Sequence, residues 1–246
     1  MENNLLKDYF ETTNNIVKRS FELSQDDINE LAVKVSEDMI KDGVIQLFGV
    51  GHDLALSMEL GFRAGGLVQY HIMDMRDLPL RGVISTEETL AEDYLKRDDL
   101  AEKLMAMYNV EANDAFLLYV STEVHQVTLD LAKLAKANGH NVYLITNKSA
   151  VEATNIKNAQ ELFAIVDHIV DLHIAYPDQI FSLDNLQVSQ VSNLVANMFA
   201  QSLTMEIYKY MKSKNYEPAV LWSMNIEGAD QHNKNLTSKY DGRWNS

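Results

Sequence analysis

Short apolar segments alternate with longer segments of helical periodicity along this chain. The spacing of apolar residues predicts helices over Leu5 to Phe21 and Asp26 to Ile40, with Ser24 and Asp27 forming a capping box between them. Five short apolar runs follow, at Val44 to Phe48, Leu67 to Met73, Ala115 to Val120, Val142 to Thr146 and His168 to Ile174. Because strands that alternate with helices form parallel sheets covered on both faces, the pattern predicts an α/β protein with a five-stranded, mainly parallel sheet.

The organisation of the chain predicts one domain. It has no internal repeat, no low-complexity segment and only three prolines, so nothing marks a flexible linker. We therefore expect a single domain over residues 1–246, with an N-terminal helical extension over about 1–42 and a C-terminal helical segment over about 187–246.

A long helix is predicted over roughly Val188 to Lys212, and one of its faces is apolar. The residues of that apolar stripe are Val191, Leu194, Val195, Met198, Leu203 and Ile207. Such a stripe is more typical of a core or a dimer interface than of a cofactor site. Together with the two N-terminal helices, it predicts a homodimer or a larger homo-oligomer.

Charge and cysteine content narrow the classes of function. The net charge of −15 repels nucleic acid and anionic membrane surfaces, so neither is expected as a partner. The absence of cysteine excludes disulfides, thiolate metal sites and a cysteine nucleophile. The first residues, MENNLLKDYFETTNN, lack the apolar core of a signal peptide, and no apolar run approaches membrane-spanning length. These features predict a cytoplasmic protein, and the sequence predicts no cofactor and no bound metal.

The segment LFGVGHDLALSMELGFRAGG, residues 47–66, carries the most specific chemistry of the chain. Gly49 and Gly51 follow an apolar strand, where glycine lets the backbone approach a ligand closely. His52 and Asp53 then open a helix, whose N-terminal N–H groups and dipole suit an anionic group. Two glycines at such a place can also do no more than shorten a turn.

The helix that follows these glycines presents a candidate acid/base residue. At roughly 100° per residue, His52, Glu59 and Arg63 fall within about 40° of one another. One interpretation is an exposed Glu59–Arg63 pair that contributes a few tenths of a kcal/mol. The other makes Glu59 the acid/base group of a ligand site that begins at the glycine turn.

Polar residues follow four of the predicted strands. They are Gly49, Gly51, His52 and Asp53, then Asp74, Arg76 and Asp77, then Ser121, Thr122, Glu123 and His125, and finally Asn147, Lys148 and Ser149. The hydroxyl and acidic residues among them, taken singly, are also ordinary N-cap residues of helices. Because ligands of parallel sheets lie outside the carboxyl ends of the strands, their convergence on one rim predicts a binding site.

Three of the seven histidines lie in candidate site segments. His52 and His232 suit proton transfer or contact with a ligand, and His125 follows the third strand. An alternative is a metal site formed by His52, Asp53, Glu123 and His125. The remaining histidines are predicted to be structural: His71, His140, His168 and His173.

A second polar segment lies near the C-terminus, in PAVLWSMNIEGADQHN at residues 218–233. Asn225, Asp230, His232 and Asn233 supply groups that bind sugar hydroxyls, and Gly228 permits a turn between them. The segment could equally be a loop followed by a helix that Asp230 caps.

Four segments of the chain resemble the SIS, or sugar isomerase, domain: LFGVGHDLALSMELGFRAGG, FLLYVSTEVHQ, NVYLITN and PAVLWSMNIEGADQHN. The likeness spans nearly the whole chain and points to bacterial phosphoheptose isomerase-like and uncharacterised SIS-domain proteins. It implies a three-layer, flavodoxin-like α/β/α sandwich that dimerises through helices, with phosphosugar sites near the subunit boundary. The implied function is sugar or sugar-phosphate binding with aldose–ketose isomerisation, for which Glu59, His52 and His232 are the catalytic candidates.

Two departures from the family pattern affect the implied phosphate site. Asp53 stands where relatives that bind sugar phosphates carry serine, and Glu123 and Val124 replace the second serine and the glycine of the S-x-S-G-x-S/T motif that Ser121 begins. A carboxylate beside a phosphate costs on the order of several kcal/mol at an effective dielectric near 20. The ligand could therefore be a neutral sugar, an amino sugar or a metal complex. A non-catalytic sugar sensor or regulatory protein is the alternative function, and an etherase or deaminase is a further one.

Overall fold

Five parallel strands form the central sheet of the computed structural model, which describes residues 4–243. The strands are β1 (Ile45–Phe48), β2 (Tyr70–Met73), β3 (Ala115–Val120), β4 (Asn141–Thr146) and β5 (His168–Asp171). Their order in the sheet is β2-β1-β3-β4-β5, and each neighbouring pair is parallel. All five coincide with the predicted apolar runs, so the predicted sheet is confirmed.

Helices cover both faces of the sheet. They are α1 (Leu5–Ile40), α2 (Leu54–Leu60), α3 (Asp77–Leu80), α4 (Thr86–Thr89), α5 (Leu100–Ala106), α6 (Gln126–Ala137), α7 (Lys148–Ile165), α8 (Ser192–Ser213) and α9 (Ala229–Thr237). Leu117 and Tyr119 pack beneath α1, α2 and α8, whereas Phe116 and Leu118 pack beneath α5, α6 and α7. Because successive strand residues point to opposite faces, β3 is apolar throughout, and the fold is the predicted three-layer α/β/α sandwich. No helix between residues 4 and 243 has the length and apolar character needed to cross a membrane.

The N-terminal region forms one helix, so the prediction of two helices separated by a capping box is wrong. Helix α1 runs from Leu5 to Ile40 without interruption. Ser24 is buried in its middle, and its hydroxyl donates to the backbone carbonyl of Asp171 in β5. A serine caps a helix when its side-chain oxygen accepts a backbone N–H of that helix. Here the hydroxyl instead bonds the helix to the sheet.

An antiparallel hairpin precedes the long C-terminal helix and was not predicted from the sequence. Its strands are β6 (Gln179–Leu183) and β7 (Leu186–Gln190). The two turn residues, Asp184 and Asn185, have positive φ angles of 49° and 67°, as two-residue hairpin turns require. Because β7 takes up residues 186–190, helix α8 begins at Ser192 rather than at the predicted Val188.

The apolar stripe predicted for this region lies mostly in the core. Four of its six residues are buried beneath α1 or against the sheet: Val191, Val195, Leu203 and Ile207. Leu194 and Met198 remain 42% and 46% exposed, and Met205 and Tyr208 continue the exposed side of α8. The buried part of the stripe therefore holds α8 onto the domain rather than onto a second copy of the chain.

A buried charge network closes the amino end of the sheet. Asp114 is 2% exposed and pairs with the guanidinium of Arg243, which is also buried. The same carboxylate accepts the backbone N–H of Val44 at 2.8 Å, the Gln46 amide at 3.0 Å and the backbone N–H of Glu111 at 3.0 Å. This network ties the C-terminal segment to the start of β1 and to the loop before β3.

Candidate functional site

The loops after β1 and β3 lie side by side at the carboxyl end of the sheet. The two strands are paired, and the helices that follow them, α2 and α6, pack on opposite faces. This reversal creates a crevice outside the strand ends, which is where ligands bind in open α/β sheets. The structure thus brings the segments Gly49 to Asp53 and Ser121 to His125 to one rim.

The glycine turn directs Asp53 into the protein. A Cβ atom on Gly49 would lie 2.5 Å from the carbonyl oxygen of Asp53, so only glycine allows so close a backbone approach. Gly51 has a φ of +61°, a conformation that residues with a side chain rarely adopt, and begins the 3₁₀ turn Gly51–Asp53. As a result Asp53 is 8% exposed, whereas His52 points outward and is exposed.

The Asp53 carboxylate links the two loops. Its Oδ2 accepts the backbone N–H of Ser121 at 3.0 Å, and no group within residues 4–243 hydrogen-bonds to its buried Oδ1. Burial raises the pKa of Asp53 to about 6, and the hydrogen bonds from Ser121 oppose that rise. The backbone N–H that begins the second loop is therefore already bound to an anionic group of the protein itself.

A cavity of about 580 Å³ adjoins the second loop. Its polar wall includes Glu92, Lys96, Glu123, His125, Gln126 and Asn155. Asn158 holds the loop in place, since its amide donates to the carbonyl of Val124 at 3.0 Å. Amide, imidazole and carboxylate groups arranged around a cavity of this size suit a small ligand with several hydroxyl groups.

Part of this cavity is formed by residues that were not predicted from the sequence. Glu92 and Lys96 come from the segment between β2 and β3, and Asn155 comes from the middle of α7. Asn155 has φ −150° and ψ 75°, so α7 is kinked beside the cavity. No motif marks these residues, and only the tertiary fold brings them next to Glu123 and His125.

The metal alternative receives no support from the geometry. Ser121 and Thr122 are half-buried with their hydroxyl oxygens 3.3 Å apart, and Glu123 is exposed. In the part of the chain that the structure describes, no three histidine, aspartate or glutamate side chains come together as metal ligands would. His52, Asp53, Glu123 and His125 thus do not converge as a set.

Glu59 lies outside the cavity and has two partners. It forms the predicted pair with Arg63, although α2 ends at Leu60 and Arg63 lies beyond it. Its Oε1 also accepts the amide of Gln201 on α8 at 2.6 Å, a contact that the sequence did not suggest. These contacts hold the Glu59 carboxylate against α8.

The C-terminal segment folds at the opposite end of the sheet. The backbone N–H of Val68 donates to Ala219 at 2.9 Å, and that of Leu221 donates to Gly66 at 3.0 Å, so the segment runs beside the chain that leads into β2. Within one chain, this placement separates the predicted ligand residues Asn225, Asp230 and His232 from the glycine turn. Asn225 and Asp230 are exposed there, and Gly228 rather than Asp230 occupies the N-cap position of α9.

His232 and Asn233 fix the position of Trp222. The Asn233 amide accepts the backbone N–H of Trp222 at 2.8 Å and donates to its carbonyl at 2.9 Å. The imidazole of His232 stacks on the Trp222 ring, with centroids 3.9 Å apart and planes inclined by 14°, while its Nε2 lies 3.0 Å from the carbonyl oxygen of Val220. Both residues therefore organise this loop.

Three of the remaining histidines bond to internal oxygen atoms. Nδ1 of His71 lies 2.6 Å from the Gln46 side-chain oxygen, and Nδ1 of His140 lies 2.9 Å from the Asp114 carbonyl. Nε2 of His168 lies 2.7 Å from the carbonyl of Asp27 on α1. Each contact joins separate elements of the fold, as a structural histidine does.

Comparison with known proteins places this fold in a family. The SIS domain model matches residues 8–147. A UPF0309 protein of Geobacillus thermodenitrificans is 29% identical over 244 residues, which cover 97% of this chain and 96% of that protein. A UPF0309 protein of Listeria innocua is 28% identical over 244 residues, which cover 97% of each chain. The solved structure of phosphoheptose isomerase GmhA from Neisseria gonorrhoeae has the same fold, with a TM-score of 0.53 and 11% identity over 87% of this chain and 100% of that one. The chain belongs to the SIS domain family.

Proposed function

We propose that this protein binds a sugar in the crevice between the Gly49–Asp53 and Ser121–His125 loops. The contact between Asp53 and Ser121 carries the proposal, because it joins the two loops at the point where the sheet topology reverses. The adjoining cavity, with its imidazole, amide and carboxylate groups, supports a ligand rich in hydroxyls. We propose no cofactor for this site.

Aldose–ketose isomerisation is the proposed reaction class. It moves a proton between adjacent sugar carbons and needs a carboxylate or imidazole beside them. His52 on the first loop remains a candidate, and Glu123 and His125, which line the cavity, join it. Glu59 and His232 are kept only as lesser candidates, since each is held elsewhere by other groups.

A non-catalytic sugar sensor is the alternative. One observation favours it: the Ser121 N–H that could hold an anionic substrate is bound by Asp53. Incubation of the protein with aldoses and ketoses, both free and phosphorylated, with NMR to follow ligand binding and interconversion, separates the two functions. Binding without turnover would favour the sensor.

Phosphosugars should bind this site weakly. The buried Asp53 carboxylate already accepts the Ser121 N–H, so a bound phosphate would have to compete with it, and the exposed carboxylate of Glu123 lies on the same loop as Ser121. The double substitution Asp53→Ser with Glu123→Ser should strengthen sugar-phosphate binding by about tenfold or more, because it removes repulsion and adds hydroxyl donors. Calorimetric titration with glucose 6-phosphate, fructose 6-phosphate and the corresponding free sugars measures the change.

Free sugars are the internal control of this titration, since their affinity should change far less than that of the phosphates. The gain should also shrink at high salt where the crevice is open to solvent. Tight phosphosugar binding by the natural protein that is lost in the double variant would contradict the proposed repulsion. It would indicate that the two acids serve the ligand directly.

We also propose that the chain forms a homodimer through the exposed side of α2 and α8. Met58, Leu194, Met198 and Met205 are 59%, 42%, 46% and 64% exposed, and exposed apolar side chains on neighbouring helices are typical of a protein–protein interface. Light scattering at micromolar concentration should give twice the mass of one chain, and Met198→Glu should shift it toward the monomer. A monomer in the unsubstituted protein at that concentration would refute the dimer.

Two further predictions accompany this function. A single SIS domain over residues 1–246, with its helical segments at about 1–42 and 187–246, is supported by the packing of α1 on α8. The cytoplasm remains the predicted compartment, and cell fractionation tests it.

A further inference from the structure

A second pocket lies far from the crevice, between the end of α2 and the C-terminal segment. It has a volume of about 350 Å³, at the small end of the range for ligand pockets. Phe62, Trp222 and Met224 form its apolar wall, and Arg63 and Lys234 are its charged residues. Among residues 4–243 no acidic side chain lines it, although the chain carries a net charge of −15.

The aromatic wall is held in a fixed orientation and remains accessible. Asn233 bonds both backbone groups of Trp222, and His232 stacks on its ring. The Trp222 side chain is nevertheless 42% exposed. Such an exposed ring does not contribute to the core. Its fixed orientation would instead lower the entropy cost of stacking against a ligand.

The two cationic side chains of the pocket, Arg63 and Lys234, have N–H groups that can donate hydrogen bonds to a ligand. Lys234 is exposed and forms no ion pair with any of residues 4–243. Arg63 reaches Glu59 through Nη1, and in the described part of the chain its Nε and Nη2 make no hydrogen bond. Guanidinium and ammonium groups beside an aromatic ring suit a planar molecule that carries a negative group.

We propose that this pocket binds a small aromatic anion, with its ring stacked on Trp222 and its phosphate or carboxylate at Arg63 and Lys234. The proposal is independent of the sugar site, because the pocket shares no residue with the crevice. The strongly negative net charge disfavours a polynucleotide, so the ligand is a single small molecule.

Adenosine monophosphate is the probe, with adenosine and inorganic phosphate as controls that carry only the ring or only the anion. The chain has two tryptophans, Trp222 and Trp244, so the substitution Trp244→Phe leaves Trp222 as the fluorescent reporter. AMP should quench this fluorescence in a saturable manner. Adenosine should bind about tenfold more weakly, and phosphate should not quench.

Single substitutions test whether AMP binds in this pocket. Lys234→Gln should weaken AMP binding about tenfold, since it removes a charge-assisted contact. Lys18→Gln, which removes an exposed lysine of α1 and changes the net charge equally, should leave it unchanged. By calorimetry, Trp222→Phe should retain most of the affinity and Trp222→Ala should lose roughly tenfold or more.

Three results would overturn the proposal. The first is the absence of AMP binding by both fluorescence and calorimetry, including the case in which a second copy of the chain covers the pocket. The second is AMP binding that Lys234→Gln leaves unchanged. The third is equal binding by Trp222→Phe and Trp222→Ala, provided circular dichroism shows both variants folded. None of these results bears on sugar binding at the crevice.

Discussion

Replacement of Asp114 by alanine should reduce the free energy of unfolding by about 3–5 kcal/mol, a large fraction of the roughly 5–15 kcal/mol that stabilises a native protein. The substitution leaves the buried guanidinium of Arg243 without its internal carboxylate. It also removes the acceptor to which the backbone N–H of Val44 and the side-chain amide of Gln46 donate their hydrogen bonds. Urea unfolding followed by circular dichroism measures the loss.

Glu111→Ala is the matched control for that prediction. Glu111 pairs with the same Arg243 at 3.0 Å, but its side chain is 49% exposed. Because the Glu111 end of this pair is exposed and Arg243 keeps the buried carboxylate of Asp114, this variant should lose only about 1 kcal/mol. Equal losses in the two variants would show that the buried network has no special role at the amino end of the sheet.

The second large effect is a change in how stability depends on pH in Asp53→Asn. Burial raises the pKa of Asp53 from an ordinary 3.8 to about 6. Its contribution to stability is therefore fully present below pH 3.8 and is lost as the pH rises through 6. At about 1.4 kcal/mol per pKa unit the loss approaches roughly 3 kcal/mol, so Asp53→Asn should gain that much relative to the natural protein between pH 4 and pH 7.

The difference between variant and natural protein is the quantity to measure, because other groups titrate in the same range. Burial lowers the pKa of His71 to about 4, so stability from that residue is lost as the pH falls, the opposite trend. Glu123→Gln, an exposed substitution on the same rim, is the matched control for the loss of one carboxylate. If the free energy of unfolding of Asp53→Asn varied with pH as that of the natural protein does, ionisation of Asp53 would cost the natural protein little stability.

Local pattern predicts much of this fold. The continuous apolar run of residues 115–120 predicts strand β3, because such a run reflects burial on both faces of a parallel sheet. Gly49 and Gly51 predict a turn because they follow a strand directly. Both signals are contained within a few consecutive residues.

The predictions that failed depended on partners distant in the chain. Ser24 fits a helix cap by its local sequence, but its hydroxyl bonds Asp171, 147 residues away, and the helix continues. The turn of the β6–β7 hairpin is polar and its strands are largely exposed, so the apolar pattern that marks strands is weak there.

The candidate site likewise combines features that local sequence predicts with contacts between residues distant in the chain. Two polar loops follow strands of one sheet in the sequence, and this order already predicts that they share a rim. The folded chain adds three contacts that the sequence does not predict: Asp53 accepts the N–H of Ser121, 68 residues away, Asn155 lines the cavity, and the C-terminal segment lies at the other end of the sheet. Local periodicity indicates which side of an element is buried, whereas the partner of a buried polar group depends on which elements pack together.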